Sequence, residues 1–219
     1  MRTGFGAILL DLDGCLIDSN DAHARAWSRA LRSFGHSIAP SRLRKQIGKG
    51  GSELLRDYLS RAERHFLSEA LGATETRLFL ERFRREVRPV PGAARAVRAM
   101  RRAGLAVVLA SSADRRVVLA GLSLLRLRKR ITGYVCADDV AKAKPFHDVF
   151  SVAVARYRLA GRRPVAVGDT PYDIAAAHQL GLPCVALASG GFPAATLRCA
   201  EARFESLADL WCRGRELFA

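Results

Sequence analysis

The chain has 219 residues, 49% hydrophobic and 26% charged, which excludes a disordered tract and allows one large core or a core plus an insert. Lys and Arg number 36 against 21 Asp and Glu, a formal net charge of +15. Yet aromatics are only 7% and the arginines are spread over helical stretches, which argues against a base-stacking nucleic-acid surface. No apolar run reaches the ~18 residues of a membrane helix, and the scattered Cys15, Cys136, Cys184, Cys199 and Cys212, with no CxxC pair, suit a reduced, cytoplasmic protein without a zinc site.

Residues 1–6 lead directly into the apolar run Ala7-Ile8-Leu9-Leu10, with no secretory pattern. Such a run predicts a strand buried on both faces, as in a parallel sheet. It ends in Asp11-Leu12-Asp13-Gly14, at the strand end where open α/β sheets bind ligands. Two neighbouring carboxylates repel each other and lose hydration on burial, so they call for a positive partner. A hard divalent cation such as Mg²⁺ is the simplest one. A helix-capping Asp beside a solvated Asp would leave the same trace, and the later motifs decide between the two.

Ser19-Asn20-Asp21 offers N-cap chemistry. Ala22, Ala26, Ala30, Leu31 and Phe34 then follow at helical spacing up to Gly35. Helical patterns recur over 40–47, 52–60, 63–71 and 74–87, interrupted by the glycine-rich loop 47–52. Residues 18–88 therefore read as an all-helical insert. Pro89-Val90-Pro91-Gly92 closes it, and the character changes to alternation. Strands are expected over 105–110, 131–136, 164–167 and 184–188, with helices over 93–103, 114–127, from Pro145 to about 159, and 174–180. This predicts an α/β core, a Rossmann-like parallel sheet with helices on both faces, formed by 1–17 and 89–219.

All strand ends of a parallel sheet meet at one edge. Asp11 and Asp13, Ser111, Lys144, and Asp169 with Asp173 each follow a strand and would converge there. That set suits phosphoryl transfer. Asp11 and Asp169 offer oxygen ligands for a metal, with Asp173 beside them. Lys144, Ser111 and backbone N–H groups near Gly14 offer positive charge to an anion. Asp11 is placed as a carboxylate nucleophile and Asp13 as a proton donor and acceptor.

Asp11-Leu12-Asp13-Gly14, Ser111, Lys144-Pro145 and Gly168-Asp169-Thr170-Pro171-Tyr172-Asp173, in this order and at these strand ends, resemble the four motifs of the haloacid dehalogenase-like superfamily. The resemblance covers essentially the whole chain. It implies a Mg²⁺-dependent phosphatase in which Asp11 forms an aspartyl phosphate and Asp13 is the general acid and base. It places the phosphate on Ser111, Ser112 and Lys144, and Mg²⁺ on Asp11, Asp13, Asp169 and Asp173. The helical insert matches the cap that the family closes over its site.

Asp13 sets the chain apart from the dehalogenase branch. The stretch Asp18 to Trp27 is similar to the cap entry of phosphoglycolate phosphatase-like and β-phosphoglucomutase-like members. His23 and Lys49 are the candidate cap contacts to substrate. Two departures stand out: Cys15, where the family usually has Thr, and Phe146-His147, where relatives usually carry a second Pro. The expected partner is a small phosphorylated metabolite, such as phosphoglycolate or a sugar phosphate, with no membrane or nucleic acid, and a monomer or homodimer. The rival readings are a β-phosphoglucomutase-like phosphomutase, although loop 48–52 lacks the arginine expected there, and a catalytically idle module binding anionic ligands or nucleic acid.

Overall fold

β1 (Ala7–Leu10) lies at the centre of the sheet, all four residues fully buried. Ile8 and Leu10 pack on one face with Val107, Leu109, Val165 and Val167. Ala7 and Leu9 pack on the other with Val108, Phe150 and Ala166, following the two-residue period of a strand. Burying one Ile or Leu side chain contributes about 1.5–3 kcal/mol, so both faces anchor the strand. The computed structural model describes residues 4–218. Met1, Arg2 and Thr3, the first part of the segment expected to run straight into a strand, lie outside the described residues.

Beyond β1 the chain turns and forms β2 (Ile17–Asp18), then α1 (Asn20–Ser33), α2 (Pro40–Arg44), α3 (Gly51–Leu55) and α4 (Arg61–Leu78). A π-helical turn (Phe79–Phe83) and a 3₁₀ turn (Arg84–Glu86) follow. The chain then returns through β3 (Arg88–Pro89), antiparallel to β2, with Ile17 opposite Pro89 and Asp18 opposite Arg88. The helical cap thus leaves and re-enters at adjacent points. It has its own core, which includes Trp27, Leu31, Leu43, Leu54, Leu55 and Leu71.

The remainder alternates: α5 (Ala93–Arg102), β4 (Ala106–Ala110), α6 (Arg115–Leu124), β5 (Gly133–Val135), α7 (Asp148–Arg156), β6 (Pro164–Gly168), α8 (Pro171–His178), β7 (Cys184–Leu187), β8 (Ala202–Phe204) and α9 (Leu207–Arg213). The six-stranded sheet runs β5-β4-β1-β6-β7-β8, every pair parallel. Among the described residues no helix is long and apolar enough to cross a membrane.

The stretches expected as separate helices over 63–71 and 74–87 are instead joined in one helix, α4, which runs through Gly72 to Leu78 and is continued by the π-helical and 3₁₀ turns to Glu86. A mid-helix glycine costs about 1 kcal/mol. Here the Ser60–Glu63 capping box and the burial of Leu71 hold the helix across it. The helix expected over 52–60 stops at Leu55. β8 and α9 were not anticipated.

Candidate active site

Strand geometry places the charged groups. The Asp11 N–H bonds to the Val167 carbonyl at 2.9 Å, extending the β1–β6 ladder by one residue. Its carboxylate thereby stands at the carboxyl edge of the sheet. Lys144, fully buried in the loop before α7, reaches this edge. Its Nζ lies 2.8 Å from Asp11 Oδ1 and 2.7 Å from Asp173 Oδ1. Burial opposes the Lys144 charge, but Asp11 and Asp173 outweigh it and hold the ammonium above its ordinary value.

Asp173 is set by the start of α8. Thr170 caps the helix, and its N–H and hydroxyl donate to Asp173 Oδ2 at 3.1 and 2.6 Å, with Pro171 in the first turn. Asp169, also fully buried, accepts from Asn20 Nδ2 at 3.0 Å and from the Cys15 thiol at 3.7 Å. Burial raises Asp11 to about 7, against the pull of Lys144 and with the help of the Asp173 and Asp13 charges. Burial, with the charges of Asp173 and Asp11, raises Asp169 well above its ordinary value. These carboxylates have too little positive charge among them.

The donor set fits a hard cation. Oxygens of Asp11 and Asp169 lie with Cys15 Sγ in one group spanning no more than 4.8 Å. Glycines line this spot closely: a Cβ on Gly14 would come within 2.2 Å of Asp169 Oδ2, and one on Gly190 within 1.7 Å. Gly14 also has φ +73°, which disfavours any side chain. Mg²⁺ would take the two carboxylates as oxygen ligands. The Cys15 thiol occupies the position where a Thr hydroxyl was expected. Burial and the Asp169 charge hold it protonated, as a donor to that carboxylate.

Asp13 has different partners. Its Oδ1 accepts from Ser19 Oγ at 2.5 Å and meets His23 Nε2 at 3.2 Å. The other ring nitrogen of His23, Nδ1, lies 2.7 Å from Glu75 Oε1 on α4. The imidazole stacks on Phe79 in the π-helical turn, centroids 3.9 Å apart. Burial opposes charge on His23, but Asp13 and Glu75 prevail and raise it to about 10. Conversely, burial would push Asp13 up, and the His23 charge and the Ser19 hydroxyl hold it below its ordinary value.

The structure brings together Asp11, Asp169, Asp173 and Lys144, with Asp13 and His23 beside them. The carboxyls of Asp13 and Asp173 lie outside the Asp11–Asp169–Cys15 group, Asp13 on Ser19 and His23, Asp173 on Lys144 and Thr170. Ser111 Oγ accepts from the Ala113 N–H at 3.1 Å, and Ser112 Oγ from the Lys144 N–H at 3.3 Å. Both serines line a cavity of about 260 Å³ above Asp11 and Asp13. Lys49 lines it too, its Nζ 2.9 Å from Asp57 Oδ2. His147, at the residue flagged as a departure, lies 3.9 Å from Asp148 and does not line this cavity.

Sequence reasoning missed Ser19, Asn20, Thr170, Glu75 and Thr76 as parts of the site. Thr170-x-x-Asp173 was legible as a capping box. Ser19 was read only as a helix cap, but its side chain makes no cap bond and turns to Asp13 instead. Glu75 and Thr76 reach the cavity through the register of α4, which no local motif marks.

The family model described as haloacid dehalogenase-like hydrolase matches residues 8–187. The validoxylamine A 7′-phosphate phosphatase of Streptomyces hygroscopicus subsp. limoneus is 26% identical, over 82% of this chain and 84% of that protein. A plasmid-borne phosphoglycolate phosphatase of Cupriavidus necator is 28% identical, over 81% of this chain and 78% of the relative. The crystal structure of a hydrolase from Pseudomonas syringae superposes with a TM-score of 0.88 at 26% identity, covering 98% of this chain and all 100% of the other. The chain therefore belongs to the haloacid dehalogenase-like hydrolases.

Proposed function

We propose that this hydrolase is a Mg²⁺-dependent phosphatase of a small phosphomonoester, working through an aspartyl phosphate on Asp11. The observation that carries the reading is the division of partners between two carboxylates only two residues apart. Asp11 is held by the Lys144 ammonium, and Asp13 by Ser19 and His23. Identical side chains in separate environments are suited to separate tasks. The names of the two phosphatase relatives point the same way.

An Asp11 oxygen attacks phosphorus, and the bond from phosphorus to the ester oxygen breaks. Lys144 neutralises charge at Asp11, and the hydroxyls of Ser111 and Ser112, which line the cavity, are free to donate to the transferring group. Asp13, taking a proton from the His23 imidazolium 3.2 Å away, passes it to the leaving oxygen. Asp13 then removes a proton from the water that attacks the aspartyl phosphate. Inorganic phosphate leaves, Asp11 is regenerated, and the proton returns to His23. Mg²⁺, held by Asp11 and Asp169, supplies further neutralisation of the phosphoryl charge when bound.

The test is Asp11→Asn assayed on p-nitrophenyl phosphate with Mg²⁺, where turnover should fall by about a thousandfold or more. A variant that keeps the wild-type rate rules this mechanism out. Assaying hexose phosphates for isomerisation alongside phosphate release separates the phosphatase from a phosphomutase.

A further inference from the structure

Resting on the phosphatase reading of this cavity, we infer that Glu75 and Thr76 select a leaving group bearing hydroxyls or a positive charge and reject one bearing a carboxylate. The relatives leave that choice open, since their names cover both a carboxylate-bearing ester and a larger polar one. The walls of the cavity decide it.

Away from the phosphoryl groups, the lining offers Glu75, Asp114 and Asp138 as acids, against Lys49 and His23 as cations. Each cation already has a carboxylate: Lys49 has Asp57 at 2.9 Å, and His23 lies between Asp13 and Glu75. The chain carries 36 Lys and Arg, but no arginine lines this cavity among the described residues. One His23 cation between Asp13 and Glu75 leaves a surplus negative charge in this trio, and a substrate carboxylate would meet it with no unpaired cation lining the cavity among the described residues. Like charges facing each other in a closed site are strongly unfavourable.

A hydroxylated leaving group meets a different wall. Glu75 is a largely buried acceptor, and Thr76 adds a hydroxyl at the cavity wall that bonds no described residue. Two polar groups on consecutive residues of α4 can pair with neighbouring hydroxyls, and an unpaired one penalises a ligand without them. Space for the ligand is open beside them. Gly72, one turn earlier, also lines the cavity, and a Cβ there would meet nothing within 4 Å.

The test uses a matched pair of esters, 2-hydroxyethyl phosphate and 2-phosphoglycolate, which differ only in a CH₂OH in place of the carboxylate. For the wild-type protein with Mg²⁺, kcat/KM should favour 2-hydroxyethyl phosphate by about tenfold or more, and Glu75→Gln should bring that ratio towards one. The ratio cancels any effect the variant has on both esters through His23. Preference for 2-phosphoglycolate, or a ratio unmoved by Glu75→Gln, overturns the inference. Turnover of p-nitrophenyl phosphate tests the phosphatase reading separately. The shift in Tm on adding each ester ranks the pair without any turnover. A larger rise with 2-hydroxyethyl phosphate supports the selection even in an inactive protein, and a larger rise with 2-phosphoglycolate overturns it.

Discussion

At the sheet edge, Lys144 and Asp173 are completely buried and bound to each other, and Asp173 is fixed again by the start of α8. On the cap side, Glu75 and Thr76 hang from a helix that carries Gly72 in its middle and passes into a π-helical turn. The cap is tied to the core by the two-residue ribbon of β2 and β3 and by a loop whose Gly50 N–H bonds to the Lys144 carbonyl at 2.9 Å. Further ties run from Tyr172 to the Lys45 carbonyl at 2.8 Å and from Arg44 to the Gly190 carbonyl, both of them through side chains rather than a shared sheet. The sheet side is interlocked, with Lys144 Nζ on both Asp11 and Asp173 and Thr170 holding Asp173 a second time. Lys144 and Asp173 are thus placed by the sheet, and Glu75 and Thr76, the groups proposed to choose a substrate, by the helical insert. His23 bonds to both sides, through Asp13 and Glu75.

Substitutions on the two sides should separate stability from chemistry. The largest combined effect is expected for Lys144→Met. Removing one partner of a buried ionic cluster costs about 3–5 kcal/mol, so urea unfolding should shift strongly while turnover is lost. A variant that is inactive but unshifted would show that the sheet side is less constrained than its contacts indicate. Asp13→Asn leaves the Lys144 cluster intact. Turnover should fall by about 10²–10⁴-fold, with an unfolding midpoint that moves far less than in Lys144→Met.

The smallest effect sharpens the contrast from outside the site. Asp139 accepts from the Cys136 N–H at 3.0 Å and from Arg115 and Arg156 at 2.9 and 3.1 Å. Burial opposes the charge, but the Cys136 contacts and the two guanidiniums hold its carboxyl well below the ordinary 3.8. A depressed folded pKa gives stability that is complete above the unfolded value and is lost as the pH falls through the folded one. Asp139→Asn should therefore cost about 1 kcal/mol at pH 7, and the difference should shrink below pH 3.8. Equal differences at pH 7 and pH 3 would remove the charge from this account.

The parallel sheet was legible because its central strands are short apolar runs ending in polar residues, as at Leu10-Asp11 and Gly168-Asp169. β8 was not legible, since Ala202-Arg203-Phe204 is a half-exposed edge strand with a charge in its middle. Asp11, Asp13, Asp169, Asp173 and Lys144 could be gathered because a parallel sheet brings its strand ends together. Glu75 could not be, because its approach to His23 depends on how two cap helices pack. Gly72 misled for a related reason: read alone it breaks a helix, and in the fold it sits inside one.

The central position of β1 also has a consequence for how the chain is made. Its ladder partners are Ala106 to Leu109 on one side and Pro164 to Val167 on the other. On a ribosome adding about 5–20 residues per second, the apolar Ala7-Ile8-Leu9-Leu10 segment waits on the order of ten seconds or more before its second neighbour exists. During that interval the cap helices, whose contacts are local, can already fold. Newly synthesised chains should therefore depend on holding chaperones more at β1 than anywhere in the cap.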